Sequence, residues 1–151
     1  MLPSPTYNLK PIERKIEKQE LIHLLRRSLF GVGHKELSYF KEKTIQEILH
    51  ILLKPSLPAD IPLQDDPDII DPIVPKGKTW INAPYENDDI DKYRRIALRA
   101  WWTGNIITRD FSLTEKMTLF WHNHFVTEMD VVKDSRYSYS YVALLRKHAL
   151  G

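Results

Sequence analysis

The side chains of this chain that could do chemistry are densest in EKMTLFWHNHF, residues 115 to 125, which holds Glu115, Trp121, His122 and His124. Two imidazoles at i and i+2 mean different things in the two regular backbones. On a strand they share a face and could hold one metal ion. On a helix they are rotated apart by about 200° and cannot. Helical spacing of Leu113, Met117, Phe120, Trp121 and His124 sets His124 on the apolar stripe, facing the core, and His122 beside Glu115 and Thr118. Three roles stay open on this pattern. The histidines can be structural, with His124 buried against a carbonyl and His122 half-exposed. One of them can serve as a general acid or base, with Glu115 or Glu128 as its carboxylate. One can join His148 or Glu128 around a metal, although the diverging rings leave no metal site to assign.

A second group of candidates is cationic. Arg26 and Arg27 lie in LLRRSLFG (24 to 31), Arg146 and His148 in LLRKHALG (144 to 151), each near the end of an expected helix, where the dipole favours positive charge. They either satisfy those helix ends or converge, with Trp121 as an aromatic platform, on an anionic ligand. The two octapeptides resemble each other, and amphipathic helix ends closed by glycine in the left-handed cap position explain the likeness without a duplicated unit. Trp101 and Trp102 differ by about 100° on a helix, so one is expected to be buried rather than both. The acidic run DDPDIIDP (65 to 72) lacks the glycine and closing glutamate of a calcium loop and reads as a solvated loop. Phosphate-loop, dinucleotide, zinc-protease and hydrolase-elbow motifs are absent from the sequence.

The elements that must position these residues follow from the apolar spacing. Helices are expected over 18 to 30, 34 to 41, 44 to 53 (opened by a capping box of Thr44 and Glu47), 89 to 107, 113 to 126 (opened by Ser112 and Glu115) and 139 to 150. The fourth is expected to turn Ile90, Tyr93, Ala97, Ala100, Trp101 and Gly104 to one side. VTEMDVV (126 to 132) is the best strand candidate. Seven of the ten prolines fall between 54 and 88, which is therefore expected to be an irregular acidic loop. The fold class is all-α: an irregular array of about six helices, with residues 1 to 17 as an extended arm, helices over 18 to 53, the loop over 54 to 88 and helices again over 89 to 151.

Composition bounds the function classes. With 151 residues, 22 Lys plus Arg against 20 Asp plus Glu and 42% apolar residues, the chain has the make-up of an ordinary globular domain. A net charge of +2 argues against a protein built to neutralise phosphates, so no nucleic-acid partner is expected. Zero cysteines exclude disulfides, iron–sulfur clusters and thiol nucleophiles. No window approaches the length of an apolar membrane span, and the N-terminus carries no stretch of signal-peptide length, which on its own gives a cytoplasmic expectation.

Three blocks, HLLRRSLFG (23 to 31), EKMTLFWHNHF (115 to 125) and LLRKHALG (144 to 151), resemble in order and spacing the bacterial domain-of-unknown-function 1800 family. TWINAPY, with Trp80 to Pro84, and RYSYSY (136 to 141) resemble its Bacteroidetes-type branch. The resemblance implies a mostly helical protein longer than this chain, one that continues past Gly151 into another helical region, so that the sequence is a piece whose first partner is the remainder of the same polypeptide. Exposed apolar surface is accordingly expected near the last helix. The resemblance also implies export for many relatives and a sulfatase-like partner protein; it carries no agreed activity, no cofactor and no catalytic residue. The function expected is a helical ligand- or partner-binding module. The alternative is a hydrolase using His122 or His124 with Glu115 as acid–base machinery, metal-assisted or not, completed by residues beyond 151. An enzyme predicts a histidine in a pocket with carboxylates; a binding module predicts exposed aromatic and arginine surface.

Overall fold

A computed structural model describes residues 14–56, 60–108 and 111–151, Thr108 by its backbone alone. Residues 1–13 of the expected arm lie outside the described residues. Seven helices occur among the rest: α1 (Lys18–Ser28), α2 (His34–Phe40), α3 (Ile45–Leu53), α4 (Asp88–Thr108), α5 (Thr114–His124), α6 (Met129–Val132) and α7 (Ser135–Lys147). No strand is present among the described residues. The fold class is all-α as expected, with one helix more. The strand candidate 126 to 132 instead contributes the short α6, because Met129 is buried against α4 and α7 while Val131 and Val132 are exposed, which is not the alternation a strand needs. No helix among the described residues is long and apolar enough to cross a membrane.

Local signals set several of the boundaries. At α3, Thr44 Oγ1 accepts from the Glu47 amide while the Glu47 carboxylate accepts from the Thr44 amide at 2.7 Å, the expected reciprocal cap. At α5 the expected box does not form. Ser112 Oγ accepts from the Thr114 amide at 3.1 Å, but Glu115 turns inward to Arg146. The last helix starts at Ser135, earlier than 139, because Asp134 caps it through the Arg136 amide and the buried Asp91 carboxylate accepts from the Ser135 amide at 2.8 Å. Gly151 takes a left-handed φ of +100°, whereas α1 ends on an extended Leu29 at φ −114° rather than on a left-handed Gly31.

Two apolar clusters form the interior. Ile16, Leu21, Leu25, Phe40, Ile48 and Leu52 join α1, α2 and α3. Val74, Trp80, Leu98, Trp102, Met129 and Val142 join the loop to α4, α6 and α7. The connection between them is polar: Leu113 N donates to Leu52 O, Ser112 Oγ to Lys54 O, and the Ser56 amide to Thr114 Oγ1, which ties the start of α5 to the end of α3.

Among the described residues, the segment before α4 has no helix or strand but is anchored. A turn from Pro75 to Lys78 uses Gly77 at φ +78°, a conformation side-chain-bearing residues avoid. Trp80 is fully buried. The acidic run is not wholly solvated, which corrects the expectation for it. Asp71 is enclosed, its Oδ1 accepting from the Ile73 and Val74 amides at 2.9 Å and its Oδ2 from Arg94 Nε at 2.8 Å. Burial pushes that carboxyl up, but the two amides and the guanidinium outweigh it and hold it below its ordinary value.

That ion pair explains a second correction. The inward face of α4 is not Ile90, Tyr93, Ala97, Ala100, Trp101 and Gly104; it is Asp91, Arg94, Arg95, Leu98, Trp102 and Asn105. A charged face can turn inward when each charge meets a fixed partner. Arg94 has Asp71 and the Pro84 carbonyl; Arg95 has Asp91 at 3.0 Å, Asp130 at 3.2 Å and the Met129 carbonyl. Of the adjacent tryptophans, Trp102 is buried and Trp101 half-buried, in line with their angular separation.

Candidate functional site

Helix α5 holds the candidate site, and its inner face is polar. Thr114, Glu115 and Thr118 are buried, with Thr118 Oγ1 donating back to the Thr114 carbonyl at 2.8 Å. Glu115, 4% exposed, accepts through Oε1 from Arg146 Nε at 2.6 Å, a bond joining α5 to α7 across 31 residues of sequence. Its other oxygen, Oε2, is shielded and has no hydrogen-bond partner among the described residues. The next residue, Lys116, sends its ammonium to α1, donating to the Arg26 carbonyl at 2.9 Å and the Leu29 carbonyl at 2.6 Å. A cation on the last carbonyls of a helix completes its unsatisfied end. Desolvation, followed by repulsion from Arg27, lowers the Lys116 pKa. Trp121 Nε1 donates to the Ala149 carbonyl at 3.2 Å. The three segments 23–31, 115–125 and 144–151 thus meet at one place, with consecutive residues of α5 as the hub.

Beside this hub lies a cavity of about 790 Å³, walled by Leu29, Val32, Ile106 and Phe111, with Lys35 and Glu36 at its edge and Glu115 on its wall. That volume suits a small-molecule site, in which apolar walls surround a few directional polar groups. Of the expected cationic cluster only Arg146 faces the hub. Arg26 and Arg27 are exposed, the former contributing its carbonyl rather than its guanidinium, and His148 is exposed where α7 ends. Sequence reasoning missed Lys116, because a lysine one step from an apolar stripe reads as a solvated side chain.

The paired histidines diverge as a helix requires, but the inward and outward assignments are reversed. His122 is half-buried, in ring contact with Trp102 at 5.1 Å and Tyr141 at 5.6 Å; His124 is exposed. The stripe of Phe120, Trp121, His124 and Phe125 forms a chain of ring contacts on the outside, with Phe120 and Phe125 each more than half exposed. Tyr137 and Leu144 on α7 are exposed as well. The physical reason is that Glu115 and Lys116 have partners in α7 and at the end of α1, and once these fix the rotation of α5 the aromatic side must point out. Glu128 is exposed near the end of α5. Among the described residues no three His, Asp or Glu side chains gather as a metal-ligand set.

Burial lowers the His122 pKa from its ordinary 6.5, and a weaker hydrogen bond with the Asn123 side chain opposes the shift. A depressed histidine contributes stability that is complete above 6.5 and is lost as pH falls through the folded value. The ring protons of His122 are therefore expected to titrate with a midpoint below 6.5 in an NMR pH series; a midpoint at or above it contradicts the enclosed geometry.

A family model described as "Protein of unknown function (DUF1800)" matches residues 23–151. No curated protein and no solved structure matches the chain.

Proposed function

The chain belongs to the DUF1800 family of proteins of unknown function, and from that starting point we propose that it is a helical ligand-binding module whose site is the cavity beside Glu115. The observation that carries this reading is a cavity of ligand size with the buried residue Glu115 in its lining, whose shielded Oε2 has no hydrogen-bond partner among the described residues. Such an acceptor is costly to leave unmet and rewards a ligand that brings a donor to it. The ligand class is a small molecule with an apolar body, for Leu29, Val32, Ile106 and Phe111, and one hydrogen-bond-donating group for Oε2.

Geometry favours this over the hydrolase reading. Glu115 is committed to Arg146 rather than to a histidine, His124 points away, and His122 packs against the rings of Trp102 and Tyr141. Butylammonium, butanol and butyrate share an apolar body and differ in the head group. Titrated into the protein and followed by chemical shifts of residues 29 to 33 and 115, the two donors are expected to bind and butyrate is not. Glu115→Gln keeps an oxygen for Arg146 but sets an amide donor where Oε2 was, so the preference should reverse. Equal shifts with all three probes, or none with either donor, count against the site.

A further inference from the structure

The chain has six histidines, and His23, His34, His50, His124 and His148 are exposed. His122 is the exception. Its ring contacts Trp102 of α4 at 5.1 Å and Tyr141 of α7 at 5.6 Å, so one imidazole touches both helices packed on the end of α5. Trp102 is 8% exposed and belongs to the apolar cluster shared by α4, α6 and α7. Tyr141 donates its hydroxyl to the carbonyl of Phe125, the residue that closes α5. The last turn of α5 is therefore held at adjoining points, and one of them is a group that titrates near neutrality.

Nε2 of His122 is shielded from solvent and has no hydrogen-bond partner among the described residues. What acid does there is independent of the tautomer of the neutral ring. An imidazolium carries a proton on both nitrogens, so protonation always leaves a charged N–H at Nε2 with no acceptor and no water in reach. The charged groups on the surrounding elements give no relief. On α4, Arg95 and Arg99 are cations, and Asp130 of α6 is engaged with both, at 3.2 and 2.7 Å. On α7, Arg136 pairs with Asp134, Arg146 pairs with Glu115, and Lys147 is exposed. On α5 itself Lys116 is bonded to the end of α1, and Glu128 beyond it is exposed.

A proton that is costly in the packed site and ordinary in water favours whichever states free the ring. The smallest of these is local: His122 leaves Trp102 and Tyr141 while the rest of the interior stays formed. The depressed His122 pKa agrees in sign, since burial disfavours the charged form.

We propose that His122 is an acid-sensitive latch, whose protonation releases the ring from α4 and α7 and opens the end of α5 while the two apolar clusters remain assembled. Native-state hydrogen exchange in low urea tests this, because a local opening responds weakly to urea and global unfolding strongly. Amides of residues 119 to 125 are expected to exchange through a urea-insensitive opening. Corrected for the intrinsic exchange rate, its population should rise at least about 3-fold from about pH 7.5 to about pH 5, with a ceiling of about 30-fold for a ring that titrates at its ordinary value once open. The rise should follow the His122 ring titration. His122→Phe keeps a ring and His122→Gln keeps a polar side chain, yet neither titrates, so both should abolish the rise. A smaller rise, exchange through global unfolding alone, or an undiminished rise in either variant overturns the proposal. Should the variants fail to fold, the coincidence of the exchange midpoint with the ring titration in the unaltered chain decides the question.

Discussion

Replacing Arg94 with Met is expected to lower the free energy of unfolding by about 3 to 5 kcal/mol, the range for breaking a buried ion pair from one side. Both members are 1% exposed at the side chain, and Arg94 Nε and Nη2 each lie 2.8 Å from the same Asp71 oxygen. Without the guanidinium the carboxylate keeps the Ile73 and Val74 amides but faces low-dielectric surroundings with its second oxygen unmatched, and the Pro84 carbonyl loses its donor as well. The loss should therefore come from the stranded charge rather than from missing contacts, and a second substitution separates the two. Asp71→Asn with Arg94→Met keeps the acceptor for the two amides and removes the charge, so this double variant should recover more than half of the deficit. Equilibrium unfolding in urea measures both. A single variant within about 1 kcal/mol of the unaltered chain, or a double variant as unstable as the single, would contradict the enclosed pair. The same pair sets an acid limit. Because the folded Asp71 pKa lies below its ordinary 3.8, its contribution is complete above that value and disappears as pH falls through the lowered one.

Arg146→Ala is the second large effect, again about 3 to 5 kcal/mol, since it strands Glu115 between α5 and α7 with neither oxygen paired to a cation. Arg146→Lys should recover a fraction only, because its ammonium sits one atom farther along the side chain than Nε and lacks the planar guanidinium that sets the direction of the 2.6 Å bond. Arg146→Ala and Lys116→Met both act on the hub, yet they test different joints. The first loosens α7; the second frees the carbonyl end of α1, where Lys116 meets Arg26 and Leu29. Hydrogen exchange on the two single variants should show the faster amides in α7 for the first and in the last turn of α1 for the second. If Arg146→Ala leaves α7 as protected as before, the pair does not hold the helix and the hub must be described differently.

Both effects arise from residues whose importance a linear reading underrates. Asp71 sits in an acidic, proline-rich run whose composition speaks for solvent, and nothing nearby announces that Arg94, 23 positions on, closes over it. Glu115 and Arg146 were candidates from their own segments, one as a catalytic carboxylate and one as an anion-binding cation. Their pairing engages Glu115 Oε1 and leaves Oε2 without a hydrogen-bond partner among the described residues. His122 was placed near Glu115 and Thr118 on the partly outward side; it turns toward Trp102, while His124 takes the exposed position.

What the sequence determined by itself is the all-helical class, the approximate extent of α1 to α5, the reciprocal cap at Thr44 and the irregularity of the proline-rich segment. These depend on neighbours within a few positions: apolar period, a cap residue and its partner three residues on, or a proline that cannot continue a helix. What only the tertiary structure decided is how α4 and α5 are rotated about their own axes. Apolar spacing selects the apolar face as the inner one, and in both helices that rule gave way. Arg94 and Arg95, and Glu115 and Lys116, find partners on the loop, α6, α7 and α1, and these directional bonds turn polar faces inward and leave the α5 aromatics outside. A helix can bury either face if its polar groups are matched, and whether they are matched depends on residues far along the chain.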